Sequence, residues 1–173
     1  MKIGIMGPSR SGKDEMAEWF LQYTKLRYAG TTSTVISREV ARREGISYEE
    51  AHAKRHPNKI YWRALGDEMR AHDPAALARA VLENSDMLVG VRAAVEIDQV
   101  IKEQLVDIIF WIDRPGIPFD PTIEFNSEKC HLVIQNHWGL SEYYHRLAMI
   151  AKSLGVLAKD VKTIHMSYTQ EFK

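Results

Sequence analysis

A short glycine-bounded loop near the N-terminus holds the residues best suited to chemistry. Gly7 and Gly12 enclose four residues, and Lys13 follows directly, which fits the pattern G-x-x-x-x-G-K-[ST] up to its last position. In such a loop, backbone N–H groups hold phosphate oxygens while the lysine reaches the β- and γ-phosphates. A simple tight turn is the alternative interpretation. The predicted phosphate-binding residues are Gly7, Arg10, Ser11, Gly12, Lys13 and Asp14.

Asp14 departs from the pattern, which places a serine or threonine hydroxyl there for magnesium. A carboxylate is also a hard oxygen ligand, so Asp14 is predicted to bind Mg²⁺ directly or through water. Its negative charge next to the phosphates would have to be compensated by that ion. As an acidic residue in the first turn of a helix, Asp14 is also favoured by the helix dipole. The two interpretations are compatible.

Strands alternate with helices along the chain, and this alternation must position the loop. Continuous apolar runs are typical of strands buried on both faces. The predicted strands are residues 3–6, 31–37, 87–91, 105–112 and 130–134. The alternation predicts a three-layer α/β fold with a central, mainly five-stranded parallel sheet, formed by a single domain over residues 1–173.

Helical patterns fill the intervals between the predicted strands. Gly45 should end one helix, Ser47 and Glu50 fit a capping box, and Asp73 before Pro74 fits an N-cap. The predicted helices are residues 15–25, 38–44, 47–56, 62–70, 74–84, 95–104 and 140–154. Residues 161–173 fit either a short strand or a tail.

Ligands of open parallel sheets bind at the carboxyl ends of the strands. The glycine loop follows the first strand, so residues that follow the other predicted strands should face the same cleft. These candidates are Ser37, Arg38, Arg92, Asp113, Arg114 and Asn136.

Composition excludes several classes of protein. Of 173 residues, 23 are Lys or Arg and 23 are Asp or Glu, so no global basic field favours non-specific nucleic-acid binding. The single Cys130 excludes an internal disulfide and is predicted to be a buried apolar residue. His131 and His137 are too isolated for a metal cluster. The sequence shows no leader or membrane-length apolar stretch, which predicts a cytoplasmic protein without a membrane partner.

Three local matches resemble the P-loop nucleotide kinases, most closely the bacteriophage deoxynucleoside monophosphate kinases. The loop at residues 10–14, with an aspartate after the lysine, is similar to the P-loop variant of that group. The segment 89–92 followed by Glu96 resembles a segment of that group in which a strand is followed by an arginine and an acidic residue. Residues 131–140 resemble the last strand of that group, the asparagine after it and the start of the next helix. For a phage-encoded protein, the compartment would be the host cytoplasm.

The resemblance implies transfer of the ATP γ-phosphoryl group, with Mg²⁺, to a nucleotide acceptor. It implies an acceptor-binding helical region over residues 38–84 and a short lid loop over residues 114–126. The catalytic residues on this reading are Lys13, Asp14, Arg92 and Arg114. Guanidinium groups bind phosphate bidentately. The acceptor candidates are therefore Arg38, Arg63, Arg70 and Arg92.

Simpler structural roles compete with these assignments. Arg63 and Arg70 fit a solvated helix face on which Asp67 or Glu68 forms ion pairs. Glu96 is predicted to pair with Arg92 or to orient it. Tyr61 and Trp62 could stack on a base, although aromatic residues near helix starts more often belong to the core.

The lid loop has one arginine at its start and none after it, which leaves the acceptor open. Either fewer charges surround the phosphate, or the partner in a homodimer completes the site. A second hypothesis is a phage-type kinase of 5-hydroxymethyluracil in DNA, with the arginine-rich segment as the strand-binding surface. A hydroxyl acceptor benefits from a base. The candidate bases are Asp14, Glu39, Asp67 and Asp73.

A nucleotide-binding switch is a third hypothesis. Switch proteins need a strand-end aspartate for the metal and, for guanine, an N-K-x-D motif. The run Leu88 to Val91 has no such aspartate, and the sequence contains no N-K-x-D. Both observations favour a kinase over a switch.

Overall fold

The computed structural model describes residues 1–55, 57–137 and 139–158, and the backbone alone of Lys59. His56, Trp138 and the ambiguous segment 161–173 lie outside the described residues. Across the described part, no helix combines the length and the apolar character needed to cross a bilayer.

A parallel sheet of four strands forms the centre of the described fold. The strands are β1 (Ile3–Met6), β2 (Met87–Val89), β3 (Ile108–Asp113) and β4 (Leu132–Gln135). Their order across the sheet is β2-β1-β3-β4, so β1 is a central strand with a neighbour on each side. Every pair is parallel, which places the loop after β1 beside the carboxyl ends of β2 and β3.

Helices cover both faces of this sheet. They are α1 (Lys13–Tyr23), α2 (Thr32–Glu44), α3 (Tyr48–Lys54), α4 (Lys59–Arg70), α5 (Ala76–Leu82), α6 (Ala94–Lys102) and α7 (Leu140–Ser153). A 3₁₀ turn spans Ser127–Lys129. Because side chains alternate along a strand, Ile3 and Ile5 join one core cluster with α1 and α7. Met6 joins a second cluster with α5 and α6. The predicted three-layer arrangement is thus confirmed.

The predicted second strand at 31–37 is wrong, because these residues begin helix α2. The Thr31 side chain accepts a hydrogen bond from the Thr34 N–H, and Thr34 reaches back to the Thr31 N–H, which completes a capping box. The predicted short helix at 38–44 is the second half of α2, and Gly45 ends it as expected, with φ of 66°. The sheet therefore has four strands rather than the predicted five.

A third small core explains why α2 forms in place of a strand. Val40 of α2 is fully buried against Ala51 of α3 and against Trp62 and Leu65 of α4. A helix presents Val40 and its partly buried neighbour Ile36 on one face, which an extended strand could not do. Trp62 is thus a core residue, the simpler of the two roles that its sequence position allowed.

Two of the predicted helix starts can be compared with the structure directly. The capping box of Ser47 and Glu50 is confirmed, with the Glu50 N–H donating to Ser47 Oγ at 3.1 Å. Helix α5 begins at Ala76 rather than at Pro74. Asp73 still caps this turn, because its Oδ1 accepts from the Ala75 N–H at 2.9 Å.

Candidate active site

The loop between β1 and α1 needs glycine at both ends. Gly7 and Gly12 have φ of 143° and 104°, in the region that other residues rarely adopt. A Cβ atom at Gly7 would lie 2.6 Å from the carbonyl oxygen of Ile112 on β3, and one at Gly12 would lie 2.6 Å from Nδ2 of Asn136. The backbone therefore comes closer to its neighbours than a side chain would permit.

Three side chains hold the carbonyl groups of this loop from outside. Asn136, which follows β4, donates from Nδ2 to the Ser11 carbonyl at 2.8 Å. The Tyr143 hydroxyl donates to the Gly12 carbonyl at 3.0 Å, and Arg114 donates to the Arg10 carbonyl at 3.4 Å. With these carbonyls engaged outward, the loop can present its N–H groups to an anion.

Three polar groups of the loop lack a partner in the described part of the chain. Within the described residues, the backbone N–H groups of Arg10 and Gly12 make no hydrogen bond. The Ser11 hydroxyl is fully buried and has no partner in the described part of the chain. An unsatisfied buried polar group costs stability. A phosphate bound here would supply acceptors for such donors, so the residues present fit the phosphate chain of a nucleotide.

Lys13 is a buried cation at the start of α1. Its side chain is 8% exposed, and its ammonium lies 3.2 Å from the Pro8 carbonyl and 4.0 Å from Oδ2 of Asp14. Burial lowers the pKa of Lys13, and the nearby positive charges of Arg92 and Arg55 lower it further, whereas Asp14 opposes them. An ammonium with so little water has much to gain from a multiply charged anion.

The lid loop contributes a carboxylate that sequence reasoning missed. Oδ2 of Asp120 accepts from the Ser9 N–H at 3.1 Å and from Nη1 of Arg92 at 2.9 Å. Oδ1 accepts from the N–H and the hydroxyl of Thr122 at 3.1 and 2.5 Å. Burial alone would raise the pKa of Asp120, but these hydrogen bonds hold it far below its usual range. No sequence signal distinguished Asp120 from other residues of a proline-containing loop.

Arg55 was also missed as a site residue. It follows α3, donates to the Ser33 hydroxyl at 3.0 Å, and acts on the pKa of Lys13. Arg55 thus carries a positive charge near enough to act on Lys13, as Arg92 does. Only Arg92 and Lys13 stood among the predicted catalytic residues.

The other predicted acceptor arginines lie in different surroundings. Arg63 of α4 donates to Glu124 in the lid loop at 2.6 Å, and Glu124 also accepts from the Ala94 N–H at 3.2 Å. Arg38 lies on α2 and is exposed, without an ion pair in the described part of the chain. Their contact with an acceptor remains a prediction.

Arg70 forms a buried ion pair with Glu96. Its side chain is 12% exposed and donates to Glu96 at 3.3 Å and to Asp67 at 2.6 Å. Glu96, at 1% exposure, was expected beside Arg92 but pairs with Arg70 instead. Burial raises the pKa of Glu96 to about 7, and Arg70 only partly opposes that rise.

The strand-end rule places some candidates correctly and fails for others. Asn136 and Arg114 contact the glycine loop as described above, and Asp113 lies 3.6 Å from the His137 ring. Ser37 is buried inside α2, where the Trp62 indole N–H donates to its hydroxyl at 3.4 Å. Its predicted position depended on the strand that does not form.

Three of the four predicted bases form ion pairs with arginines. Each of these carboxylates forms an ion pair within its own helical region: Glu39 with Arg42 and Arg43, Asp67 with Arg70, and Asp73 with Arg79. Asp14 differs from them because it lies beside Lys13 and its side chain is 66% exposed.

A magnesium ion fits Asp14 only as part of a nucleotide complex. Within the described residues, no group of three His, Cys, Asp or Glu side chains could hold a metal ion. Mg²⁺ commonly binds through one or two carboxylates together with substrate phosphates, and it keeps several waters. One exposed carboxylate next to the phosphate loop satisfies that requirement.

Comparisons with known proteins identify the fold. Neither the models of known protein families nor the curated protein sequences give a match to this chain. Shikimate kinase from Aquifex aeolicus superposes with a TM-score of 0.52 at 16% identity, over 90% of this chain and 98% of that chain. A sugar kinase from Janibacter sp. HTCC2649 gives a TM-score of 0.47 at 17% identity, over 90% of this chain and 94% of that chain. The first of these likenesses shows that the chain has the α/β fold of that kinase, with its parallel sheet.

Proposed function

We propose that this protein is an ATP-dependent phosphotransferase, and that its acceptor is a deoxynucleoside monophosphate. The observation that carries the proposal is the buried Lys13 ammonium directly after a glycine loop whose carbonyls accept hydrogen bonds from Asn136, Tyr143 and Arg114. Phosphoryl transfer depends on positioning and on neutralising charge rather than on covalent chemistry by the protein. This arrangement of buried charge and oriented backbone meets that need.

Different residues are assigned to the phosphates of ATP and to the phosphate of the acceptor. Lys13 and the loop N–H groups would bind the β- and γ-phosphates, and Asp14 would hold Mg²⁺, which would supply positive charge against the phosphates. Arg92 and Arg55 extend the positive charge from the glycine loop toward the helical region. A guanidinium at that position can bind a phosphate oxygen of the acceptor bidentately.

The pairing of the arginines supports a small acceptor over a DNA strand. Segment 38–79 contains seven arginines. In the described part of the chain, ion pairs with acidic residues are formed by Arg42, Arg43, Arg63, Arg70 and Arg79. Arginines neutralised in this way contribute little to a field that attracts a phosphate backbone. A mononucleotide needs only the few cations grouped near Lys13.

A kinase acting on 5-hydroxymethyluracil in DNA is the second candidate. One observation favours it: the Asp14 carboxylate lies 4.0 Å from the Lys13 ammonium and is exposed, as a base for a hydroxyl acceptor should be. The two candidates differ in what receives the label from ATP.

The test follows the γ-phosphate of radiolabelled ATP in the presence of Mg²⁺. Purified protein is incubated in parallel with each deoxynucleoside monophosphate and with DNA that contains 5-hydroxymethyluracil. Lys13→Ala should abolish transfer and leave the fold intact, because the contacts of its ammonium in the described part of the chain are with the Pro8 carbonyl and Asp14. Lys25→Ala removes an exposed lysine beyond the end of α1 and serves as the matched control.

Label in a nucleoside diphosphate supports the proposed acceptor, and label in the DNA supports the alternative. Full transfer by the Lys13→Ala variant would refute the assignment of the phosphate site. Hydrolysis of ATP that no acceptor stimulates would instead support the nucleotide-binding switch.

A further inference from the structure

Asp120 places a carboxylate among the donors of the phosphate loop. Its Oδ2 accepts from the Ser9 N–H of that loop and from the Arg92 guanidinium. Its side chain is 13% exposed, and its charge also acts on Lys13. A backbone N–H of a glycine loop, an arginine and a lysine are the groups that proteins use to hold a phosphoryl oxygen. Asp120 therefore occupies a position suited to an anion.

The rest of the lid loop fixes this carboxylate in place. Thr122 donates to Oδ1 from both its N–H and its hydroxyl. Further along the loop, the Glu124 N–H donates to the Arg92 carbonyl at 2.9 Å, and the Glu124 carboxylate accepts from Arg63. The lid loop thus contacts the glycine loop through Arg114 and Asp120, and it contacts the helical region through Glu124.

These contacts argue against Asp120 as the base of the reaction. Four donors already use its oxygens, and a carboxylate stabilised in this way holds a proton poorly. The same contacts prevent a phosphate from accepting hydrogen bonds from the Ser9 N–H and from Nη1 of Arg92 as long as Asp120 accepts them. Two anions side by side would also repel each other.

We infer that Asp120 is a built-in competitor of the nucleotide phosphates at the glycine loop. Binding of ATP displaces its carboxylate from the Ser9 N–H and releases Arg92 to the phosphates. The inference rests on the proposed function, because it assumes that the loop binds phosphate. The lid loop would then cover the glycine loop until phosphate replaces the Asp120 carboxylate, and Asp120 would help to determine the affinity for the nucleotide.

The test is the dissociation constant of Mg·ATP, measured by titration calorimetry on the full chain, and the same measurement with inorganic pyrophosphate. Asp120→Asn keeps the shape of the side chain and removes its charge. We expect the dissociation constant to fall about tenfold for both ligands, since charge-assisted hydrogen bonds are among the strong ones. Asp98→Asn is the matched control, because Asp98 forms an exposed ion pair with Lys129.

Thr122→Val is the second variant, and it keeps the test decisive if Asp120→Asn does not fold. It removes a hydroxyl that donates to Asp120 and accepts from Arg92, and it leaves the charge of the site unchanged. Both losses loosen the hold of the lid loop on Arg92, so the variant should tighten binding in the same direction by a smaller factor. An unchanged or a higher dissociation constant in the folded variants would overturn the inference, and Asp120 would then be a residue that positions Arg92.

The failure of this inference differs from the failure of the proposed function. If the unaltered protein binds Mg·ATP and transfers phosphate, but the Asp120 and Thr122 variants bind no tighter, only the competitor role is lost. If the unaltered protein binds neither Mg·ATP nor pyrophosphate, both proposals are lost.

Discussion

Replacing Glu96 by glutamine tests the buried ion pair that joins α4 to α6. Glu96 is 1% exposed, and its Oε1 has no partner in the described part of the chain, while Oε2 accepts from Arg70 at 3.3 Å. Glutamine has nearly the shape of the protonated carboxyl group and cannot ionise. The variant therefore isolates the effect of the charge on stability.

The magnitude follows from the pKa of Glu96. Burial raises that pKa from 4.5 to about 7, so the folded chain binds a proton that the unfolded chain has released between these values. The free energy of unfolding of the unaltered protein should therefore fall as pH rises through this window. The difference between the two pKa values corresponds to about 3 kcal/mol. Below the window the two proteins should be equally stable, and above it Glu96→Gln should be more stable by about that amount.

Urea unfolding at about pH 3.5 and about pH 8.5, below and above the window, measures the effect, with the midpoint and slope fitted for each protein. Asp98→Asn provides a control in which a carboxylate is lost from an exposed ion pair. Its difference from the unaltered protein should not grow with pH in this window. A Glu96→Gln variant that is less stable at the higher pH would refute the reasoning. That result would mean that the charged pair contributes more than burial of the carboxylate costs.

Three further predictions concern the glycine loop and the helix caps. Gly12→Ala should abolish ATP binding, measured by titration calorimetry, because the new Cβ would lie 2.6 Å from Asn136 Nδ2. Gly45→Ala is the control: a Cβ at Gly45 meets no atom within 4 Å, so this variant should still bind ATP. Tyr143→Phe removes the hydroxyl that donates to the Gly12 carbonyl, and it should weaken ATP binding in titration calorimetry by about tenfold. Unchanged affinity would show that Asn136 and Arg114 hold the loop without the Tyr143 hydroxyl. Ser47→Ala removes the capping box of α3 and should lower the free energy of unfolding in urea by about 1 kcal/mol, and Ser47→Thr should retain most of it.

The sequence predicted the glycine loop well because its geometry depends on local requirements. Positive φ at Gly7 and Gly12 follows from residues within one short stretch. The helix after the loop was predicted from residue 15, and in the structure it begins two residues earlier, at Lys13. The Ser47 and Glu50 box was predictable for the same reason, since both partners lie within one helical turn. The strand-end rule extended this to Asn136, because parallel strands bring their carboxyl ends to one edge.

The failure at residues 31–37 shows where local pattern was insufficient. Val35 and Ile36 are β-branched and favour a strand, but Thr31 can cap a helix and Val40 continues an apolar face at helical spacing. The choice was decided by Trp62 and Leu65, which lie more than twenty residues further along the chain and pack on that face. Distant packing of this kind overrides intrinsic propensity.

Local sequence pattern also could not predict which charged residues of the site form ion pairs, and these pairs affect function. Composition gave a neutral chain with an arginine-rich helical segment. Spacing indicated ion pairs of Asp67 or Glu68 within α4, which the Arg70–Asp67 pair bears out, but it could not indicate partners distant in sequence. Arg70 meets Glu96 across 26 residues and Arg63 meets Glu124 across 61, so both pairs exist only in the folded chain. Asp120 likewise reaches Ser9 across 111 residues. The positive charge near Lys13 is therefore set by which carboxylates fold onto which arginines, and Asp120 is the one carboxylate among these that contacts the glycine loop itself. If Asp120 is exchanged for phosphate as inferred, the negative charge of the lid loop determines how tightly the loop binds its nucleotide.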